Sequence, residues 1–178
     1  MLQKRNDYEI IEKLTKSPKH IRLLGKELNL IPSTVMRIMR RLEEERVTDF
    51  KIEGKNKIYF LKDTLEAKNY ILMSEIYKLN KITQNARLRR VIKELKEQTN
   101  GELIILFGSY AKSTERKESD IDIYIESNDN KLKKNLSKIS EKLSIKIGKL
   151  DKENLLTKEI MKNHIIIQNF ERYYQLIK

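Results

Sequence analysis

The sequence has no cysteine. Disulfides and thiolate chemistry are excluded, and an intracellular, cytoplasmic setting is the default expectation. Only two histidines occur, so no histidine-based metal cluster can be built. No apolar run approaches the roughly 18 residues of a membrane-spanning helix, and no membrane partner is expected. The N-terminus lacks a charged-then-apolar signal layout, so export is not expected. Proline occurs twice and glycine five times. There is no Gly-, Pro- or Ser-rich linker, no internal repeat and no low-complexity segment.

What is present is charge. Charged residues make up 36% of the 178 positions, with a net +12 and an isoelectric point near 9.7. A polyanionic partner is the natural inference from such an excess, although a lysine-rich, well-solvated surface gives the same totals.

The front of the chain reads as helices. Ile10, Ile11 and Leu14 recur at helical spacing until Ser17-Pro18. Ile21, Leu24 and Leu28 mark a second apolar face, after His20 at its opening. Asn29-Leu30-Ile31 makes a turn, and Pro32 stands at a helix start. Val35, Ile38, Met39 and Leu42 then form an inward face, leaving Arg37, Arg40 and Arg41 outward. Two short strand-like runs, 47–52 and 57–61, flank Glu53-Gly54-Lys55-Asn56, where Gly54 and Asn56 suit a turn.

Helix, helix, turn, helix, hairpin resembles a winged helix-turn-helix, a module that lays its second central helix in the major groove of double-stranded DNA. The resemblance implies that Ser33, Thr34, Arg37, Arg40 and Arg41 face DNA and that Lys55 and Lys57 reach phosphate from the wing. A protein-binding winged helix without DNA contact is the alternative. Residues 1–62 carry 15 basic against 9 acidic side chains, a net +6, which favours nucleic acid. Helices follow over 63–80 and 83–99. They read as scaffold and as a surface for a homodimer, with a stiff helical connector over 63–83.

One stretch places acidic residues inside apolar runs. Leu103 to Phe107 is short, apolar and ended by Gly108-Ser109, as in a buried strand. After ten residues, Asp120 and Asp122 alternate with Ile121, Ile123 and Ile125. Period-two alternation predicts a strand with one buried face and both carboxylates on the other. Two carboxylates that close repel, and one stays protonated unless a cation lies between them. Mg²⁺, held by carboxylates and phosphates, removes the conflict. Gly108 admits close backbone approach, and Ser109 offers a hydroxyl and an N–H to phosphate. Gly108 and Ser109 are therefore candidate nucleotide-binding residues, and Asp120 and Asp122 candidate metal-binding and catalytic residues.

The wording Phe107-Gly108-Ser109-Tyr110-Ala111-Lys112, followed by Ser119-Asp120-Ile121-Asp122, resembles the nucleotidyltransferase superfamily of DNA polymerase beta. It is most similar to the minimal nucleotidyltransferases of prokaryotes, which include antitoxin partners of HEPN ribonucleases. The resemblance covers about residues 84–178. It implies an NTP, with ATP first, and Mg²⁺ or Mn²⁺ at the glycine, serine and aspartates. It also implies a third carboxylate on a later strand and, in the antitoxin-like case, a HEPN-type toxin as partner.

The chain departs from that pattern at the third carboxylate. The strand expected over 144–150 carries Ser144 and Lys146 on its polar face. Asp151 has the wrong parity, and Glu141 lies on the preceding predicted helix, 131–143. Further on, 154–163 reads as a helix, 164–167 as a short strand and 169–177 as a last helix. His164 sits at an element boundary, as a base near neutrality or as a cap.

The sequence thus predicts an α+β protein. Residues 1–62 form a winged helix-turn-helix, 63–83 a helical connector, and 84–178 a polymerase-beta-like fold with a small mixed sheet flanked by helices. Three functions stay open at this point. One is Mg²⁺-dependent transfer of a nucleoside monophosphate to a protein, RNA or small-molecule hydroxyl. Another is a DNA-binding regulator whose lapsed transferase domain senses nucleotide or dimerises. The last is an antitoxin-like partner protein.

Overall fold

The computed structural model describes residues 2–177. The chain divides into two units, one through Tyr77 and one from Lys78 onward.

In the first unit, α1 (Asn6–Lys16), α2 (Ile21–Leu28) and α3 (Pro32–Glu44) precede an antiparallel hairpin of β1 (Thr48–Glu53) and β2 (Asn56–Leu61). The inward faces expected from spacing are the buried ones: Ile10, Ile11, Leu14, Leu24, Val35, Ile38, Met39 and Leu42 share one core with Val47 and Tyr59. His20 caps α2, its Nδ1 accepting the Leu23 N–H at 3.1 Å. The α2–α3 turn is tight because residue 25 is glycine. A Cβ there would lie 2.8 Å from the Leu30 carbonyl oxygen.

One buried polar cluster joins the ends of this helical layer. Asp7 is only 5% exposed. It accepts Arg5 Nη2 at 2.9 Å and Arg41 Nη2 at 2.8 Å on Oδ2, and the Tyr8 N–H at 3.1 Å on Oδ1. Burial alone raises a carboxyl's pKa. The hydrogen bond and charge of Arg5, the Tyr8 N–H and the Arg41 charge outweigh it and hold Asp7 below the usual range.

Helix α4 (Leu65–Ile82) contains the division between the units. The second unit continues with α5 (Ala86–Glu97), β3 (Ile104–Phe107), α6 (Gly108–Lys112), β4 (Ile121–Glu126), α7 (Asn130–Leu136), β5 (Leu143–Gly148), α8 (Leu155–Lys162), β6 (Ile165–Gln168) and α9 (Phe170–Ile177). Its four strands form one mixed sheet in the order β5-β4-β3-β6. Strand β3 is antiparallel to both neighbours, and β4 is parallel to β5.

The sheet is covered on both faces. Ile104, Leu106, Ile121, Ile123, Ile125, Ile165 and Ile167 pack on one side with Leu88, Val91, Ile92 and Leu95 of α5, Tyr110 of α6 and Leu136 of α7. Leu103, Ile105, Phe107, Tyr124 and Ile166 pack on the other with Ile160 of α8 and Tyr173 of α9. This differs from the single buried face expected for β4. The alternation is broken by Tyr124, which is 4% exposed and draws helices onto the face that carries the aspartate. The helix expected over 131–143 also differs. It ends at Leu136 rather than 143, because Ser137 and Ser140 bond the local backbone instead of continuing the helix.

The pH dependence of the Asp7 cluster has a definite sign. A depressed carboxyl stabilises the fold above its unfolded pKa, about 3.9, and that contribution disappears as pH falls through the folded value. Asp7→Asn is expected to cost about 2 kcal/mol at neutral pH. In urea titrations the gap between variant and wild type should close below about pH 4. A gap that persists unchanged at low pH would show that the charge on Asp7 is not what matters.

Candidate functional site

Strand β3 is apolar on both faces and ends where Gly108 starts α6. Phe107 pairs with Asp122 across the antiparallel ladder, so the Gly108-Ser109 turn is delivered directly against β4. Gly108 has φ +70°, and a Cβ at this position would lie 2.2 Å from Asp122 Oδ2 and 3.0 Å from its Cγ. Only a residue without a side chain allows this contact. The sequence showed the glycine and the aspartate. The ladder register is what brings them together.

Asp120 lies one residue ahead of β4 and is exposed, while Asp122 is half-buried in the strand. Burial pushes the Asp122 carboxyl up, and the charges of Asp120 and Glu159 add to that. The polar Ser144 side chain beside it and the charge of Lys146 oppose it. Ser144 stands beside Asp122 because β4 and β5 run parallel with those two residues in register. Lys146 is two residues further along β5, at the register of Tyr124.

The acidic side chains of β4 are treated differently. Glu126 receives Nε and Nη2 of Arg172 at 2.8 and 2.9 Å, a two-pronged pair that neutralises it. Among the described residues neither Asp120 nor Asp122 has an ion-pair partner within 4.0 Å. A crowded pair of carboxylates next to a backbone turn is suited to a cation and to the phosphates that accompany it. Among the described residues no three His, Asp or Glu side chains converge as a metal cluster.

Two further charges meet beside the turn. Lys112, the last residue of α6, places Nζ 2.9 Å from Glu159 Oε1 on α8. Lys112 was visible as a loop cation, but α6 itself was not: five residues inside a polar stretch give no helical periodicity. Glu159 had no signal, being one more acid on an exposed helix face. His164 is a packed residue. Its Nδ1 lies 3.1 Å from the Ile160 carbonyl and 3.2 Å from the Tyr173 hydroxyl, and its ring lies against Tyr173.

In the first unit, the candidate DNA-facing residues do not form one uniform group. Ser33, Arg37 and Arg40 are exposed on the side of α3 opposite its buried face, and Thr34 is half-buried. Arg41 is exposed but tied to the buried Asp7, and it lies 3.7 Å from Glu45. Lys55 is exposed in the hairpin turn. Lys57 carries its ammonium 3.5 Å from the centre of the Phe50 ring.

The Gly108–Asp122 contact predicts strong coupling. Gly108→Ala should destabilise the protein by about 1–3 kcal/mol through backbone strain and the clash. The cost should fall by at least about 1 kcal/mol when Asp122→Ala removes the carboxylate. Strictly additive losses in chemical denaturation would mean that the two residues do not share this space.

No curated protein matches the chain. One solved structure, described as the crystal structure of a toxin-antitoxin with AMP-PNP, is 24% identical over 49% of this chain and 77% of that chain, with a TM-score of 0.38. The model of the nucleotidyltransferase domain matches residues 88–177, which spans β3, the Gly108-Ser109 turn, both aspartates and the whole sheet. On the strength of that match over half its length, the chain belongs to the nucleotidyltransferase domain family.

Proposed function

We propose that this protein binds a nucleoside triphosphate with a divalent cation in its second unit and DNA with its first. The observation that carries the first half is the contact between Gly108 and Asp122. It holds a phosphate-type turn and a metal-type carboxylate in one place, and Asp120 adds a second hard oxygen donor. Nucleotidyltransferase domains work with divalent cations, and this donor set fits Mg²⁺ or Mn²⁺. The carboxylate that Gly108 makes room for would fall where a side chain would otherwise lie. Asp120 and Asp122 would hold the cation, which would neutralise the triphosphate. Ser109 would donate its N–H and hydroxyl to a phosphate oxygen. The Ser144 hydroxyl would keep Asp122 oriented.

Transfer of a nucleoside monophosphate to a hydroxyl needs an acidic group that strengthens the cation site facing the acceptor. Strand β5 supplies Ser144 and Lys146 in that region, so the strand itself supports nucleotide binding and not acceptor activation. ATP with Mg²⁺ is expected to raise the melting temperature, because a ligand at about 100 times its Kd adds about 2.7 kcal/mol. The shift should vanish without Mg²⁺ and in Asp120→Ala or Asp122→Ala. An equal shift in those variants would remove the site from this role.

For the first unit, the order of three helices and a hairpin, with an exposed cationic face on α3, supports a winged helix on double-stranded DNA. Ser33, Thr34, Arg37 and Arg40 would approach the major groove, and Lys55 and Lys57 the phosphates. Arg41 would act by fixing α3 through Asp7. Duplex affinity should fall with salt, and Arg37→Ala with Arg40→Ala should lower the log–log slope by about 2 if both meet phosphate. A flat slope in the wild type would exclude phosphate contacts.

A further inference from the structure

Strand β5 lacks the acidic side chain that would complete the cation site. The two acids nearest in sequence do not serve. Glu141 is exposed ahead of β5. Asp151 is turned to its own loop, accepting the Glu153 N–H at 3.0 Å. Apart from Asp120, the acid whose charge most raises the Asp122 carboxyl is Glu159.

The packing explains how a residue so far along the chain reaches the site. Ile160 is fully buried in the cluster that contains Phe107 and Tyr124. Tyr124 and Asp122 project to the same side of β4. Helix α8 therefore lies over the sheet face that carries Asp122, and the residue before Ile160 stands at its rim. There Glu159 is engaged by Lys112, at 2.9 Å, with the two side chains 52% and 39% exposed. Lys112 is three residues beyond Ser109, on the short helix that begins at Gly108. One partner of this ion pair thus belongs to the phosphate-type turn, the other to the helix above the aspartate. An exposed ion pair holds with roughly 0–1 kcal/mol, whereas a polyphosphate presents several negative charges to the same ammonium.

Resting on the nucleotide–cation reading above, we propose that Glu159 is the third acidic group of this site. A bound polyphosphate takes Lys112 from it, and the freed carboxylate turns to the divalent cation side of Asp120 and Asp122. The separation of the three carboxylates among the described residues is then the resting state, with Lys112 holding Glu159 aside. The chain has moved the acid from β5 to α8 and made its arrival conditional on phosphate.

The test counts metal ions rather than turnover. Bound Mn²⁺ is measured by electron paramagnetic resonance with a non-hydrolysable ATP analogue, in wild type and in Glu159→Gln. Wild type is expected to take up about two Mn²⁺ per nucleotide and Glu159→Gln about one. Nucleotide affinity should change by less than about 3-fold in Glu159→Gln and fall by about 10-fold in Lys112→Met. Adding Ser144→Asp to Glu159→Gln should return the second ion by placing a carboxylate beside Asp122. An unchanged manganese count in Glu159→Gln, with normal nucleotide binding in the wild type, would overturn this inference alone. So would a nucleotide affinity that rises tenfold in Glu159→Gln while the count stays the same, since Glu159 would then be only a competitor for Lys112. A wild type that binds no nucleotide would overturn the underlying reading as well.

Discussion

The site depends on how closely two pieces of backbone approach each other. Asp122 occupies the space in which any side chain at position 108 would stand. That approach requires β3 to end at Phe107, with Phe107 opposite Asp122. It requires Gly108 to turn at positive φ, so that α6 begins at once. It also requires both strands to be rigid, which a four-residue β3 achieves only by burial on both faces. The two apolar clusters above and below the sheet therefore serve the positioning of two polar groups at its end.

Charge is used in three ways along the chain, and composition alone does not separate them. Arg41 and Arg172 each neutralise an acid that the fold has partly buried, Asp7 and Glu126. Lys112 is tied to Glu159 at the surface, where the tie is weak. Arg37 and Arg40 are exposed on a helix whose other face is packed. The net +12 conceals these differences. An arginine that faces outward by helical spacing, such as Arg41, still finds an inward partner when another helix brings an acid within reach.

The strong helices and the β3–β4 pair were legible because their apolar periodicity is decided locally. Ile10, Ile11 and Leu14, or Leu88, Val91, Ile92 and Leu95, occupy the faces that spacing assigns them. Gly108, Ser109, Asp120 and Asp122 stand out in the sequence because glycine and acidic residues inside apolar runs are chemically conspicuous, and the ladder register then sets Gly108 against Asp122. Three things were not legible. The short α6 has no room to show a period. The second buried face of β4 rests on Tyr124, whose hydroxyl makes it look amphipathic in a sequence. Glu159 meets Lys112 across 47 residues, and only the packing of Ile160 brings it there. Contacts of that kind arise from the tertiary arrangement, and no local pattern encodes them.

The order β5-β4-β3-β6 leaves two strand edges, and their chemistry limits how this sheet can grow. Strand β6 is four residues long, too short to template an added strand for any distance. Strand β5 carries exposed Lys146 along its length and ends in Gly148. A charged lysine on an open strand disfavours a neighbouring chain that would cover it. The same lysine that stands where an acid is expected thus discourages edge-to-edge aggregation. An acidic replacement aimed at restoring a transferase site would be better made at Ser144, where this protection is left intact.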